Sequence, residues 1–237
     1  MSKQRNYQGN STPVSVSQNF LTSRQTIRRL LRIAELKQTD HVVEIGAGRG
    51  HITRELARIC GRVSAYEIDR ALAGRLYSEF ENSNVRVYGR DFLASALPKN
   101  APYKVFASIP FCRTTEIIRK LTAAAPPEEA WLVVEKGAAK RFMGIPRESR
   151  ASLLLKPFFD MEIRYHFRRD DFHPAPSVDA VMLCLKRKSV PDVTAAERRA
   201  YEAFIGKRFG RLPRVSGEML YVQWLCLFRR SRGSFKA

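Results

Sequence analysis

The chain has no run of 18 or more apolar residues among its 237, so no membrane-spanning helix is expected. Residues 1–18 carry no apolar core of the kind a secretory signal needs, and a cytoplasmic protein is expected. Only four cysteines occur, Cys60, Cys112, Cys184 and Cys226. No two of them form a CxxC pair, and the four histidines do not gather beside them. That pattern argues against a disulfide framework and against a bound metal. Reduced, mostly structural thiols fit it best. No internal repeat is visible. Acidic residues are scarce too, 23 against 42 Lys and Arg, for a net charge of +19. The excess sits at the ends, with 13 basic and 4 acidic residues over 180–237 and 7 against 2 over 1–40. A basic excess of this size favours a polyanionic partner, most simply nucleic acid. An acidic membrane is disfavoured, because no basic, Trp-rich amphipathic helix stands out.

What is present suits an ordinary globular core, since 44% of the residues are hydrophobic. Residues 1–17 read as a flexible basic arm. From residue 22 a helix is expected, capped by Thr22 or Ser23, with Ile27, Leu30, Leu31 and Ala34 on one side. Strands and helices then alternate. Strands are expected over 41–45, 62–68, 85–88, 104–109, 130–134 and 178–185, and helices over 51–60, 70–80, 115–124 and 137–142. The stretches 153–159 and 162–167 fit neither pattern clearly. Such alternation implies an α/β fold, a mostly parallel sheet covered on both faces. After Lys188 the pattern changes: Pro191 and Thr194 mark a linker, and 195–209 and 219–228 read as helices of a small basic module. Three parts are therefore expected: an arm over 1–17, a sheet domain over 18–188, and a helical, nucleic-acid-binding part with a basic tail over 189–237.

Ligands on open parallel sheets bind beyond the C-terminal strand ends. Four chemically informative stretches fall there. Glu44-Ile45-Gly46-Ala47-Gly48-Arg49-Gly50 is a glycine turn between a strand and a helix, where backbone can approach a ligand closely. Alone it fits many nucleotide-binding folds. Glu67 ends the second strand, where a carboxylate can accept from both ribose hydroxyls; a solvated carboxylate is the plainer reading. Asp91 with Phe92 follows the third strand. It can meet an adenine edge or simply sit in a turn.

Ser108-Ile109-Pro110-Phe111 ends the fourth strand. Proline fixes the carbonyls around it, a side-chain oxygen and a carbonyl can both accept from an exocyclic amino group, and Phe111 can stack on a base. That is what methyl transfer to an aromatic amine requires. Holding the N–H groups draws a delocalised lone pair toward an already activated sulfonium methyl, without a strong general base. A strand-ending proline with a core Phe is the bland alternative. The GxGxG spacing with Glu67 and Asp91 on one edge points to S-adenosylmethionine rather than NAD or FAD.

Taken in order, QNFL at 18–21, EIGAGRG at 44–50, YEID at 66–69, DF at 91–92, SIPF at 108–111 and FHPAPSVDA at 172–180 resemble the Erm rRNA adenine-N6 methyltransferases. Their broader relatives are the small-subunit rRNA dimethyladenosine transferases. The resemblance runs from about 18 to 188. It implies a class I, Rossmann-like methyltransferase domain with a mostly parallel seven-stranded sheet, plus a small basic α-helical C-terminal domain.

It also implies transfer from S-adenosylmethionine to N6 of an adenine in 23S rRNA, as naked RNA or in the assembling large subunit, by a monomer, with macrolide–lincosamide–streptogramin B resistance as the result. At matching positions Gln18, Asn19 and Leu21 would lie against the methionine part of the donor, with Gly46, Ala47 and Gly48 near it and Glu44 toward its amino end. Glu67 and Ile68 would hold its ribose and adenine face, and Asp91 and Phe92 the adenine edge. Ser108, Ile109, Pro110 and Phe111 would receive the target base, and Phe172 would form a second aromatic wall.

The family usually carries Asn where this chain has Ser108, a shorter group whose oxygen also donates. The base contact would then lean more on the Ile109 carbonyl, and one or two methyl groups remain compatible. Lys136, Lys140, Arg141 and Arg113, near the active edge, and Lys207, Arg208, Arg211 and Arg214 at the C-terminal end are the candidate RNA contacts. A 16S rRNA dimethyladenosine transferase and a non-catalytic ribosome-assembly relative are the alternatives.

Overall fold

The structure, a computed structural model, describes residues 19–98, 101–123, 125–210 and 217–233. The elements in chain order are β1 (Phe20–Leu21), α1 (Arg24–Ile33), β2 (His41–Ile45), α2 (His51–Ile59), β3 (Arg62–Tyr66), α3 (Arg70–Glu79), β4 (Val85–Tyr88), β5 (Lys104–Ser108) and α4 (Thr114–Leu121). They continue with β6 (Glu129–Glu135), α5 (Lys136–Met143), α6 (Arg150–Leu155), β7 (Phe159–His166), β8 (Phe172–His173), β9 (Ala180–Arg187), α7 (Arg198–Arg208) and α8 (Tyr221–Ser231). Local chemistry sets several helix starts. Ser23 caps α1 by accepting from the Thr26 amide, and Asp69 caps α3 by accepting from Ala71 and Leu72.

Seven strands form one sheet in the order β4-β3-β2-β5-β6-β9-β7. All are parallel except β9, which runs antiparallel to both β6 and β7. The order reverses between β2 and β5, which opens a crevice at their C-terminal ends. A second, two-stranded pair joins β1 to β8, with Phe20 opposite His173 and Leu21 opposite Phe172. It carries the segment before α1 to the same edge.

The central strands are apolar on both faces because helices cover both. Val43, Val105, Ala107, Leu132, Val134, Leu183 and Leu185 face one cluster, with α4, α5 and α6. Val42, Phe106, Trp131, Val133, Met182 and Cys184 face the other, with α1, α2 and α3. Burying such a side chain stabilises by roughly 1.5–3 kcal/mol, so this alternation fixes strand register. In β7 a register shift between Ile163 and Tyr165 changes the parity. Met161 and Ile163 pack on the first cluster, and Tyr165 on the second. Met161, Ile163, Tyr165 and Phe167 alternate in the sequence as a strand requires, yet the bulge sends them to both faces of the sheet.

The C-terminal helices pack on the first cluster rather than standing apart from it. Tyr201, Ile205, Trp224, Leu225 and Phe228 are buried with Leu153 and Phe158. The Tyr201 hydroxyl donates to the Leu153 carbonyl at 2.9 Å, and the Tyr221 hydroxyl to Asp192 at 2.8 Å. The linker thus belongs to the same core, with Val193 only 1% exposed. Among the described residues no helix is long and apolar enough to cross a membrane. The expected arm over 1–17, Gln18, and Arg211 and Arg214 lie outside the described residues.

Candidate active site

A pocket opens at the crevice between the ends of β2 and β5. Asn19, Phe20, Leu21, Gly46, Ala47, Gly48, Arg49, His51, Ile52, Glu67, Ile68 and Ser108 through Phe111 line it. Stretches separated by up to 90 positions in the chain therefore share one cavity. The glycine turn after β2 supplies its floor. Gly46, Gly48 and Gly50 all have positive φ, at 73°, 56° and 77°, which strains any residue with a Cβ. Gly48 is needed for space as well, since a Cβ there would stand 2.7 Å from the Phe20 ring.

Glu67 is buried against this turn. One carboxylate oxygen accepts from the Gly48 amide at 2.6 Å, and the other from the Asp69 amide at 2.9 Å. The turn and the end of β3 are thereby tied together. A carboxylate offers about four acceptor directions, so about two remain for a ligand.

Glu44, in β2 just before the turn, does not line this cavity; it is 1% exposed, and neither of its oxygens has a hydrogen-bond partner. Burial pushes its carboxyl up to about 8; nearby Thr53 offsets part of this, and the charge on Glu67 adds to it. A buried polar group left without a partner is costly.

Another wall of the pocket is built from the exit of β5. Ser108 closes the strand opposite Val133, and its hydroxyl makes no side-chain hydrogen bond among the described residues. Pro110 sits at φ −58° and ψ 125° and starts a short turn. The Arg113 amide donates to the Pro110 carbonyl, and the Thr114 hydroxyl to the Phe111 carbonyl. These bonds hold the turn that presents the partly exposed Phe111 ring to the pocket.

Other expected residues stand at different distances from this cavity. Asp91 and Phe92 do not line it. Asp91 accepts from the Leu93 amide at 2.8 Å and stands 3.8 Å from Arg113, while Phe92 is buried edge-on to Tyr66. Phe172 does not line it either. Its ring is 4% exposed and packs on Phe167 at 5.2 Å, because the β1–β8 pairing turns it inward beside Leu21. Lys136, Lys140 and Arg141 lie on α5 directly after β6, on the same sheet edge; Lys136 is 3.5 Å from Asp179, and Arg141 bonds to Thr115.

Four residues that line the pocket carry no role in the motif reading: Phe20, Arg49, His51 and Ile52. Phe20 has a signal in the sequence, since β alternation with the inward Leu21 turns it outward; Arg49 then stacks on it at 5.3 Å. His51 is the first residue of α2. Burial lowers its pKa, and the charges of Arg54 and Arg49 lower it further.

A family model for ribosomal RNA adenine dimethylases matches residues 9–224. The chain belongs to the ribosomal RNA adenine dimethylase family. It is 37% identical over 199 residues to an rRNA adenine N-6-methyltransferase of Limosilactobacillus reuteri, covering 84% of this chain and 80% of that protein. A protein of the same description from Lysinibacillus sphaericus matches at the same identity and coverage. Among solved structures, the 23S rRNA methyltransferase ErmE superposes with a TM-score of 0.75 at 30% identity, over 90% of this chain and 99% of that one. A dimethyladenosine transferase from Plasmodium falciparum gives 0.62 at 26% identity, over 71% of this chain and 63% of that one. Membership makes the chain an S-adenosylmethionine-dependent rRNA adenine-N6 methyltransferase. The pocket fits such a donor: a turn of left-handed glycines lines it, and the carboxylate at the end of β3 is anchored beside that turn.

Proposed function

We propose that the protein methylates N6 of an adenine in 23S rRNA and thereby confers resistance to macrolides, lincosamides and streptogramin B. The observation that carries this reading is the extent of the likeness to ErmE, which takes in 99% of that chain and 90% of this one. The likeness to the dimethyladenosine transferase stops at 71% of this chain. Methylation of 16S rRNA is the second reading, favoured by that structural likeness alone.

Bound in the pocket, S-adenosylmethionine would supply an electrophilic sulfonium methyl. Gly46, Ala47 and Gly48 would bear on its methionine part together with Asn19, Leu21 and Gln18, with Glu44 beneath. Glu67 would accept from its ribose and Ile68 would cover the adenine face; Asp91, outside the cavity and backed by the buried Phe92, would meet the adenine edge only where the donor extends past the cavity. The target adenine must leave its stack to enter. Phe111 stacks on it, and the Ser108 hydroxyl and the Ile109 carbonyl accept from its amino group, so that the nitrogen lone pair is directed away from the ring. Pro110 keeps these acceptors in place. Phe172, behind β1, supports this wall through Leu21 rather than touching the base. The enzyme acts as a monomer in the cytoplasm, on 23S rRNA that is naked or still being assembled.

The test is methyl transfer from radiolabelled donor to separate 23S and 16S rRNA, with mapping of the labelled adenine. Label on 23S is expected. Label confined to 16S would replace this reading with the second one, and label on neither would remove both.

A further inference from the structure

α1 and α2 both begin at the sheet edge that carries the pocket: α1 descends into β2, and α2 starts where β2 ends. Beside the pocket, sharing His51 with it, lies a cleft lined by Thr22, Arg24, Ile27, Arg54, Glu55 and Arg58. Three guanidinium groups converge there on one carboxylate. Arg24 Nε and Arg58 Nη1 donate to Glu55 Oε1 at 2.7 and 2.6 Å, and Arg28 Nε donates to Oε2 at 2.8 Å.

The Glu55 side chain is 5% exposed, whereas those of Arg24, Arg28 and Arg58 are 58%, 50% and 54% exposed. One negative charge thus orients three positive ones, leaving a local excess of two. Each guanidinium carries five N–H donors and spends one on Glu55; no other acceptor among the described residues takes the rest. Arg54 is different, because it is engaged through two nitrogens by Glu79. A buried carboxylate that fixes exposed forks is a way to preorganise anion recognition, since forks held in place lose less entropy on binding.

We propose that Arg24, Arg28 and Arg58, oriented by Glu55, clamp phosphodiester groups of the RNA beside the methyl-transfer pocket. The inference rests on the reading of the protein as an rRNA methyltransferase. It adds a contact surface on the α1–α2 side of the pocket, opposite the Lys136–Arg141 side. RNA crossing the catalytic edge would then be held on both flanks of the flipped base.

The test measures binding of labelled rRNA transcripts, without donor, across about 50 to about 200 mM salt. The triple variant Arg24→Gln, Arg28→Gln, Arg58→Gln is compared with the wild type. A control triple, Lys37→Gln, Arg62→Gln, Lys186→Gln, removes equal charge from the far edge of the sheet. The clamp variant should flatten the slope of log affinity against log salt by about 2, at roughly 0.7 per phosphate contact for single strands. The control should leave the slope unchanged, and Arg24→Lys, Arg28→Lys, Arg58→Lys should restore most of it. A slope lost equally in both Gln triples, or in neither, overturns the clamp. So does a fall in melting temperature in the Gln and Lys triples with the slope intact, which is what a purely structural role gives. Transfer to 16S instead of 23S overturns the substrate reading while a slope difference on 16S still supports the clamp. Transfer to 23S with no slope difference overturns the clamp alone.

Discussion

Glu44 and Glu55 are both withdrawn from water, at 1% and 4% exposure, and they belong to adjoining parts of one strand–turn–helix unit. Glu44, in β2, has no hydrogen-bond partner, and burial raises it to about 8. Burial also pulls Glu55 upward, but hydrogen bonds from Arg28 and Arg24 and the charge of Arg58 outweigh it and hold the group at about 2. Burial alone therefore does not set the charge of a carboxylate; the partner does. A buried carboxyl left unsatisfied holds its proton, whereas one saturated by cations stays ionised and organises a surface.

The two carboxylates act on opposite limbs of the pH–stability curve. Folded Glu44 prefers to be protonated, so its contribution holds below the ordinary value of 4.5 and is lost as pH rises through about 8. Folded Glu55 prefers to be ionised, so its contribution is present above 4.5 and is lost as pH falls through about 2.

The largest expected effect follows from the first of these. Glu44→Gln should raise the unfolding free energy at pH 9, relative to wild type, by roughly 2–4 kcal/mol, at about 1.4 kcal/mol for each tenfold change in proton affinity, and by little at pH 5. Urea denaturation at both pH values measures it, and equal changes at both would erase the contrast. Phe111→Ala comes next. It should reduce kcat/KM for RNA by about 5- to 150-fold, the equivalent of roughly 1–3 kcal/mol of base stacking, with donor affinity measured by calorimetry unaltered. An unreduced kcat/KM would remove the stacking role.

Gly48→Ala should weaken donor binding by about tenfold or more, since a left-handed alanine costs roughly 1–2 kcal/mol before the contact with Phe20. Unchanged donor affinity in that variant would separate the turn from the donor. The smallest effect belongs to the α1–α2 seam. Glu55→Gln should cost about 1 kcal/mol at pH 7, because the exposed arginines are screened, and should flatten the acid limb only. A loss on the alkaline limb would make the two carboxylates alike.

Much of this site is legible in the sequence. β2 and β4 occupy 41–45 and 85–88 as periodicity predicts, and the glycine turn, Glu67 and Ser108–Phe111 meet in one cavity because all follow parallel strands at a reversal of strand order. Other features are not legible there. The 153–159 stretch is split between α6 and β7, and the bulge in β7 sends its regularly alternating apolar residues to both faces. The placement of Phe172 depends on a two-residue pairing with β1, more than 150 residues away in sequence. Glu55 reads locally as one more exposed helix charge, and only the approach of α1 to α2 surrounds it with arginines.

The sequence by itself determined the alternating strands and helices outside 150–173, the edge on which the motifs gather and the family, since these depend on local periodicity and on ordered motifs. Tertiary structure decided the charge states and the surroundings of individual groups: a neutral-leaning Glu44, an ionised Glu55 and an inward Phe172. The physical reason is range. Backbone periodicity is written between neighbours, whereas desolvation and ion pairing depend on what distant segments bring within a few ångströms.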